Sequence, residues 1–195
     1  MDRPRKIPNI KNITISGRIG TGTTTLALNL SKVLHWKVLE GGVIFEKLHD
    51  HLNIHEVDVQ HRPDQMDLEY EEMIKKILQE ETENIIQSHL AGFDAQGLKK
   101  VFKILVVCED DRGNDKLEIR IDRLTNRKKI PLEEAKAEVL QREQRNLEKW
   151  RRLYANNDPN WVYWDPKYYD LIINTYHYNS EESLHLVLEK LGIKK

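Results

Sequence analysis

The sequence predicts an α/β protein whose parallel sheet is covered by helices on both faces. Three observations support this prediction. Short β-branched or apolar runs alternate along the chain with longer stretches of helical periodicity. A glycine-rich turn separates the first such run from the first helical stretch. Residues 101–108 are apolar except for Lys103, which is typical of a strand buried on both faces of a parallel sheet.

The first half of the chain contains three predicted strands and three predicted helices. Residues 13–16 form a β-branched run, and helical spacing then relates Leu26, Leu30, Val33 and Leu34. A second strand, 37–40, ends at two glycines and leads into a helix that continues to about residue 51. Residues 53–65 are polar and irregular. The next helix is amphipathic, with apolar positions at Tyr70, Met73, Ile74, Ile77 and Leu78, and a short strand follows over 84–87.

The second half continues the alternation. After the strand at 101–108, a helical stretch over 117–154 is interrupted at 129–131, where Pro131 restricts the preceding residue and can begin a new helix. Residues 171–174 form the last strand. The last helix has apolar positions at Leu184, Val187, Leu188 and Leu191. The chain contains no internal repeat and no low-complexity segment.

The turn after the first strand has the spacing of a phosphate-binding loop. Glycines in it permit positive φ, so that consecutive N–H groups can converge on a phosphate, and the following helix directs its positive dipole end at the same anion. The predicted donor-phosphate site comprises Gly17, Arg18, Ile19, Gly20, Thr21, Gly22, Thr23, Thr24 and Thr25. Thr24 occupies the hydroxyl position that would bind Mg²⁺.

The loop departs from the usual pattern at one position. Thr23 stands where the pattern requires lysine, so one positive charge near the β- and γ-phosphates is missing. An arginine elsewhere in the chain could supply it. An ordinary strand-to-helix turn capped by threonines is the alternative interpretation. The order of strand, glycine turn and amphipathic helix favours phosphate binding.

Composition predicts one soluble domain over residues 1–195. Basic and acidic side chains nearly balance, at 31 and 32, so no global preference for nucleic acid or a membrane surface is expected. Cys108 is the only cysteine and ends an apolar run, which predicts a buried thiol in a reducing compartment. The first residues lack the apolar core of a signal peptide, and we expect a cytoplasmic protein.

Charge is distributed unevenly along the chain. Residues 40–83 contain 13 acidic and 4 basic side chains, whereas residues 112–152 contain 13 basic and 8 acidic ones. An acidic segment beside a basic one is unlike a duplex-binding face or a membrane surface. It is compatible with two mobile segments that close over a ligand.

The order of motifs resembles that of the cytidylate kinases, especially the archaeal-type branch of this nucleoside monophosphate kinase family. The resemblance covers nearly the whole chain, and in that branch threonine also replaces the loop lysine. Matching segments are 16–25, 42–45, 88–93, 120–123, 142–143 and 169–175. The resemblance implies a P-loop NTPase fold with a five-stranded parallel sheet, an acceptor-binding arm at 43–80 and a helical lid at 112–152. It also implies ATP and Mg²⁺ as cofactors.

The departures from the family occur where the acceptor should bind. Val43 and Glu46 replace an acid and an arginine of the family, and His89 replaces a second arginine. The two arginines would hold an acceptor phosphate by charge-assisted hydrogen bonds, and Glu46 would repel it. CMP is therefore expected to have a high KM, unless Arg62 or His61 supplies the missing charge.

The predicted lid carries arginines at helical spacing. Arg120, Arg123 and Arg127 can share one helical side, and Arg142, Arg145, Lys149 and Arg152 form a second stripe. Phosphoryl transfer depends on positioning and positive charge, and we expect the developing charge to be stabilised by Arg120, Arg123, Arg142 and Arg145. The alternative is a pair of solvated helices, because acidic residues are interleaved with the arginines.

Other features have ordinary explanations. The spacing of His49, His51, His55 and His61 is unlike that of a zinc site. Asp64 and Asp67 are predicted helix caps. An aromatic group either stacks on a base or packs at the sheet edge, and it comprises Trp161, Tyr163, Trp164, Tyr168 and Tyr169.

The sequence and the resemblance together predict ATP-dependent phosphoryl transfer to a small-molecule acceptor, first of all a nucleoside monophosphate such as CMP or dCMP. Two alternatives stay open. One is a P-loop kinase of another hydroxylated or phosphorylated acceptor. The other is a nucleotide-binding regulatory protein without transferase activity.

Overall fold

A computed structural model describes residues 3–50 and 62–193 of the chain. Its centre is a five-stranded parallel sheet in the order β2-β3-β1-β4-β5. The strands are β1 (Asn12–Gly17), β2 (Lys37–Glu40), β3 (Asn84–Gln87), β4 (Val101–Val107) and β5 (Leu171–Asn174). Every strand pair is parallel, and Ile13 of the central strand is aligned with Ile85 of β3 and Phe102 of β4. The predicted fold class is confirmed.

Eight α-helices surround or extend this sheet in the described part of the chain. They are α1 (Thr23–Leu34), α2 (Gly41–His49), α3 (Asp64–Glu80), α4 (Ala91–Asp94), α5 (Leu117–Lys128), α6 (Leu132–Lys136), α7 (Glu143–Tyr154) and α8 (Ser180–Lys190). A π-helical turn, Ala137–Arg142, joins α6 to α7. The α8 helix begins with a capping box formed by Asn179 and Glu182.

The hydrophobic core lies on both faces of the sheet. On one face α1 and α8 cover β1, β3 and β4, with Leu30 and Ile104 fully buried. On the other face α2, α3 and α4 pack around Ile74 and Ile86. Burial on both faces explains why β4 is apolar at every position except Lys103.

Several predicted boundaries shift by a few residues. The α2 helix begins at Gly41, directly after β2, and the predicted irregular stretch 53–65 ends in helix α3 from Asp64. Residues 51–61 of these two predictions lie outside the described residues. The predicted interruption near residue 130 is confirmed, because Lys129 adopts the left-handed conformation and Pro131 precedes α6. Among the described residues, no helix has the length and apolarity needed to cross a membrane.

Candidate functional site

The glycine-rich loop directly follows β1 and therefore lies at the carboxyl edge of the sheet. Because β1 is the central strand, the loop lies in the middle of that edge. Its geometry requires glycine at two positions. Gly20 and Gly22 have φ of 82° and 104°, and a Cβ atom on Gly20 would lie 2.4 Å from the carbonyl oxygen of Arg120. Gly22 immediately precedes α1, so the unpaired N–H groups of the first helical turn face the loop.

The threonines that follow the loop contact the neighbouring strand and the predicted lid. Gln87 at the end of β3 donates from Nε2 to Thr23 Oγ1 at 3.2 Å, and its Oε1 accepts from Thr24 Oγ1 at 3.5 Å. Arg127 Nη1 donates to Thr24 Oγ1 at 3.1 Å. A guanidinium from α5 therefore lies beside the hydroxyl that was predicted to bind Mg²⁺.

Two cavities meet at the loop. The first cavity, of about 300 Å³, extends from Gly20, Thr23 and Thr24 toward α2 and α3. Polar and aromatic side chains of its wall include Glu46, Arg62, Glu71, Gln87, His89, Arg142 and Trp150. The second cavity, of about 500 Å³, lies on the other side of Gly20 and Gly22. Its wall includes Arg123, Arg127, Thr175, Tyr178 and Asn179.

Arg120 lies behind the loop and lines neither cavity. Its side chain is fully buried. It donates from Nε to the carbonyl oxygen of Ile19 at 2.8 Å, from Nη1 to Asp115 at 2.6 Å and from Nη2 to Glu143. The expected direct role in stabilising a transferring phosphoryl group therefore does not match its position, because its donors are already bound inside the protein. The prediction that the three α5 arginines present their charges on one common side of the helix is therefore wrong for Arg120.

The other predicted lid arginines occupy different environments. Arg123 donates to the hydroxyl and carbonyl oxygens of Thr175, both at 2.8 Å, in the wall of the second cavity. Arg142 donates to Glu138 at 2.7 Å and lines the first cavity. Arg145 lines neither cavity, and its buried Nε lacks a hydrogen-bond partner. A catalytic role for Arg123, Arg142 and Arg145 stays a prediction.

Glu143 connects the loop to the predicted lid. Its Oε1 accepts from Nε and Nη2 of Arg18 at 2.8 and 2.6 Å, and its Oε2 accepts from the N–H of Ile19 at 3.1 Å. The same Oε2 accepts from Arg120. The carboxylate thus binds two arginines and one backbone N–H, which compensates for its burial.

Residues of the predicted acceptor-binding arm, 43–80, form part of the wall of the first cavity. Glu46 is exposed in its wall, so the negative charge anticipated from the sequence is present there. His89 Nδ1 lies 3.0 Å from the carbonyl oxygen of Gly17. Arg62 is buried in the same wall, with its guanidinium bound by both oxygens of Asp67 at 2.7 and 3.0 Å and stacked 4.9 Å from the Phe45 ring. His61 lies outside the described residues.

Two buried carboxyl groups meet beside this cavity. Burial raises the pKa of Glu71 well above its usual range, and the neighbouring charge of Asp94 raises it further. Burial also raises the pKa of Asp94, against the opposing effects of the Glu71 carboxyl and of Lys75, whose Nζ lies 3.3 Å from Asp94. Glu71 therefore carries a proton at pH values where an ordinary carboxyl group is ionised.

The structure tests several of the ordinary explanations. The predicted capping roles of Asp64 and Asp67 are wrong, since neither caps α3: Asp64 pairs with Arg152, and Asp67 pairs with Arg62 and Lys149. Cys108 is buried as predicted. The described residues contain no cluster of three or more potential metal-binding His, Cys, Asp or Glu side chains, and His51, His55 and His61 lie outside them.

The aromatic group packs mainly against the protein itself. Tyr163 is fully buried, and Trp161 packs edge-to-face on Phe93 of α4. Trp164 stacks under Arg18 of the loop, with the guanidinium carbon 4.5 Å from the ring centroid. These contacts support packing within the protein, but the partners lie on α4, on α7 and in the glycine-rich loop and not at the predicted sheet edge.

Sequence reasoning did not assign functions to four residues that the structure brings to the loop or the first cavity. Gln87 could have been found from its place at the carboxyl end of a strand next to β1. Arg127 belongs to the arginine stripe that was recognised. Glu143 and Trp150 carry no local signal that distinguishes them from other residues of α7, because their positions depend on how that helix packs.

The central loop, the parallel sheet and the two cavities define the class of this protein as a P-loop α/β protein with kinase-like architecture. The chain belongs to the AAA domain family, whose model matches residues 13–141. Curated relatives confirm the resemblance to the cytidylate kinases. The chain is 29% identical to a cytidylate kinase of Methanopyrus kandleri, with 90% of each chain covered. It is 27% identical to one of Haloarcula marismortui, with 90% of this chain and 86% of the relative covered.

Solved structures of kinases share the fold. A shikimate kinase from Acinetobacter baumannii in complex with shikimate superimposes with a TM-score of 0.58 at 16% identity, covering 94% of both chains. A gluconokinase from Sinorhizobium meliloti gives a TM-score of 0.54 at 13% identity, covering 96% of this chain and 94% of the other. At these identities the similarity concerns the fold alone.

Proposed function

We propose that this protein transfers the γ-phosphoryl group of ATP to a nucleoside monophosphate, with CMP and dCMP as the first acceptors to test. One observation carries the proposal: the first cavity begins at the phosphate loop and ends among residues of the acceptor-binding arm. A donor phosphate on the loop would therefore face an acceptor in that cavity. The curated relatives that are named cytidylate kinases support the same acceptor class.

The second cavity is the proposed site of the donor nucleoside. It adjoins the loop at Gly20 and Gly22, so a nucleotide could lie there with its phosphates on the loop N–H groups. Arg123 and Tyr178 in its wall offer a cationic plane and an aromatic ring for contact with a base.

Thr24 and Gln87 are a suitable start for a Mg²⁺ site. Their hydroxyl and amide oxygens lie 3.5 Å apart at the beginning of α1, and oxygen ligands are those that Mg²⁺ prefers. Phosphate oxygens and water would complete the coordination. The ion would neutralise charge on the phosphates, and Arg127 would have to leave the Thr24 hydroxyl.

Arg127 is the proposed source of the charge that the loop lysine would otherwise provide. It lines both cavities at their junction and already contacts Thr24. Arg123 and Arg142 would add positive charge from the second and first cavities. Arg120 would act through the loop backbone and not through direct contact with phosphate. Residues 112–152 would thus act as the lid of a single kinase domain.

Arg62 and Arg142 are the candidates for binding the acceptor phosphate. Both line the first cavity, although Asp67 and Glu138 already neutralise part of their charge. Glu46 and His89 occupy the places of the two family arginines. These two residues favour a second candidate, a hydroxylated acceptor without a phosphate, because carboxylate and imidazole groups can accept hydrogen bonds from hydroxyl groups.

A turnover assay with an acceptor panel tests the proposal. The purified protein is incubated with ATP and Mg²⁺ and with CMP, dCMP, UMP, AMP or polyhydroxylated acids, and ADP formation is measured. Acceptor-dependent turnover highest with CMP or dCMP supports the proposal. Turnover only with hydroxylated acceptors favours the second candidate. Binding of ATP without transfer to any acceptor would identify a regulatory nucleotide-binding protein.

A further inference from the structure

We propose that Glu143 is a positioning residue that, together with Arg120, sets the shape of the phosphate loop from the predicted lid. Both side chains bind the backbone of the same loop residue, Ile19. Glu143 accepts from the N–H of Ile19, and Arg120 donates to the carbonyl oxygen of Ile19. Because Glu143 and Arg120 also bind each other, both polar backbone groups of Ile19 are held by one ion pair.

The position of Ile19 makes this ion pair relevant to phosphate binding. Ile19 directly precedes Gly20, whose positive φ bends the loop and which lies against the backbone of Arg120. A rotation of the Ile19 peptide groups would change the direction of the N–H groups that follow. Because the loop has no lysine, its binding of phosphate depends on the geometry of its backbone N–H groups and on the side chains that hold that backbone in place.

Burial makes the ion pair sensitive to the loss of either partner. Glu143 is 5% exposed and Arg120 is fully buried. Arg18 and Asp115 complete a group of four alternating charges, with Arg18 Nη1 3.2 Å from Asp115. Removing one member leaves a buried charge without compensation, whereas the complete group is electrically balanced.

The arrangement couples two parts of the site. Arg18 and Ile19 belong to the loop, Arg120 to α5 and Glu143 to α7. The predicted lid can therefore move only if these bonds break or if the loop moves with it. Loop shape and lid position should therefore change together. This inference rests on the proposed function only in taking the phosphates of ATP as the ligand of the loop.

The experiment measures loop order and nucleotide binding in Glu143→Gln. Backbone amide exchange is followed by NMR on the full chain, and ATP affinity by calorimetry. We expect the Ile19 amide to exchange at least about tenfold faster, and ATP to bind about tenfold more weakly, with the exchange of β1 and β4 unchanged. The acceptor KM should stay within about twofold, because acceptor groups are not held by this ion pair.

Matched variants separate positioning from general destabilisation. Glu148→Gln removes an exposed carboxylate of the same helix and should leave loop exchange and ATP affinity unchanged. Glu143→Asp retains the charge and should restore part of the ATP affinity. If Glu143→Gln does not fold, Arg18→Gln removes a partly exposed partner of the carboxylate and should still accelerate Ile19 exchange several-fold.

The outcomes distinguish this inference from the proposed function. Unchanged loop exchange and unchanged ATP affinity in a folded Glu143→Gln protein would overturn it. If Glu143→Gln does not fold, unchanged loop exchange and unchanged ATP affinity in Arg18→Gln would overturn the inference. A wild-type protein that binds no ATP would contradict the proposed function, while the exchange of Ile19 would still test the role of Glu143.

Discussion

Arg127 donates a hydrogen bond to the hydroxyl group of Thr24, with 3.1 Å between Nη1 and Oγ1. The arginine comes from α5 and the threonine from the first turn of α1, so the contact joins the predicted lid to the phosphate loop. It lies where the two cavities meet. A positive charge is therefore present close to the loop position that lacks lysine.

The first prediction concerns this charge. Arg127→Ala should lower kcat by about a hundredfold, because the donor phosphates lose a cation that strengthens its contact as charge develops. Steady-state kinetics with saturating ATP and acceptor measure the effect. Arg112→Ala removes an exposed arginine of the loop before α5 and serves as the control, with kcat expected to be unchanged. Equal kcat values in the two variants would show that Arg127 is a solvated surface residue without a role in catalysis.

The second prediction concerns the loop backbone. Gly22→Val should abolish ATP binding, because a β-branched residue is strained at φ of 104° directly before α1. The nearest atom to a Cβ at this position is 3.7 Å away, so backbone strain and not a clash carries the effect. Calorimetry measures ATP affinity. Gly97→Val introduces similar strain at φ of 76° outside the loop and should leave that affinity unchanged.

The third prediction separates Arg120 from the accessible arginines. Arg120→Ala should lower the free energy of unfolding by about 3–5 kcal/mol, because Glu143 loses a buried partner. Denaturant titration followed by circular dichroism measures this change. Arg127→Ala, at an exposed position, should change the unfolding free energy by less than about 1 kcal/mol. A small effect in both variants would contradict the structural role of Arg120.

The fourth prediction concerns the acceptor. Wild-type protein should have a high KM for CMP, and Glu46→Gln should lower it about fivefold, because a carboxylate in the wall of the first cavity repels the acceptor phosphate. Initial rates at varied CMP and saturating ATP give the two values. Glu72→Gln removes an exposed carboxylate from α3 and should leave the KM unaltered. A micromolar wild-type KM that persists in Arg62→Gln would show that CMP is bound without the charge of Arg62.

The fifth prediction concerns pH. Because the folded-state pKa of Glu71 is raised above the unfolded value, the folded protein binds the extra proton, and stability falls as pH rises from the ordinary carboxyl range through the raised pKa. Glu71→Gln should flatten this dependence, and the variant should be the more stable protein above that range. Denaturant titrations across the pH series test it. Glu72→Gln should keep the wild-type slope, and an identical slope in Glu71→Gln would refute the prediction.

The sequence by itself determined the fold class, the phosphate loop and the approximate position of every described strand. These features depend on local signals, namely apolar periodicity, glycines that permit positive φ, and the order of elements along the chain. The interruption before Pro131 was also predicted, because proline acts on its immediate neighbours. The capping prediction for Asp64 and Asp67 failed because the N-cap of α3 is Pro63, so both residues lie inside the first turn of the helix, where cations pair with their carboxylates.

Only the tertiary structure decided the roles of the charged side chains. Arg120, Arg123 and Arg127 share a helical spacing, yet one is buried against Glu143, one binds Thr175 and one reaches Thr24. Glu143 meets Ile19 from 124 positions away in the chain. Such contacts depend on how α5 and α7 pack against the loop. Coulomb and desolvation energies are set by these distances in space, which sequence spacing does not contain.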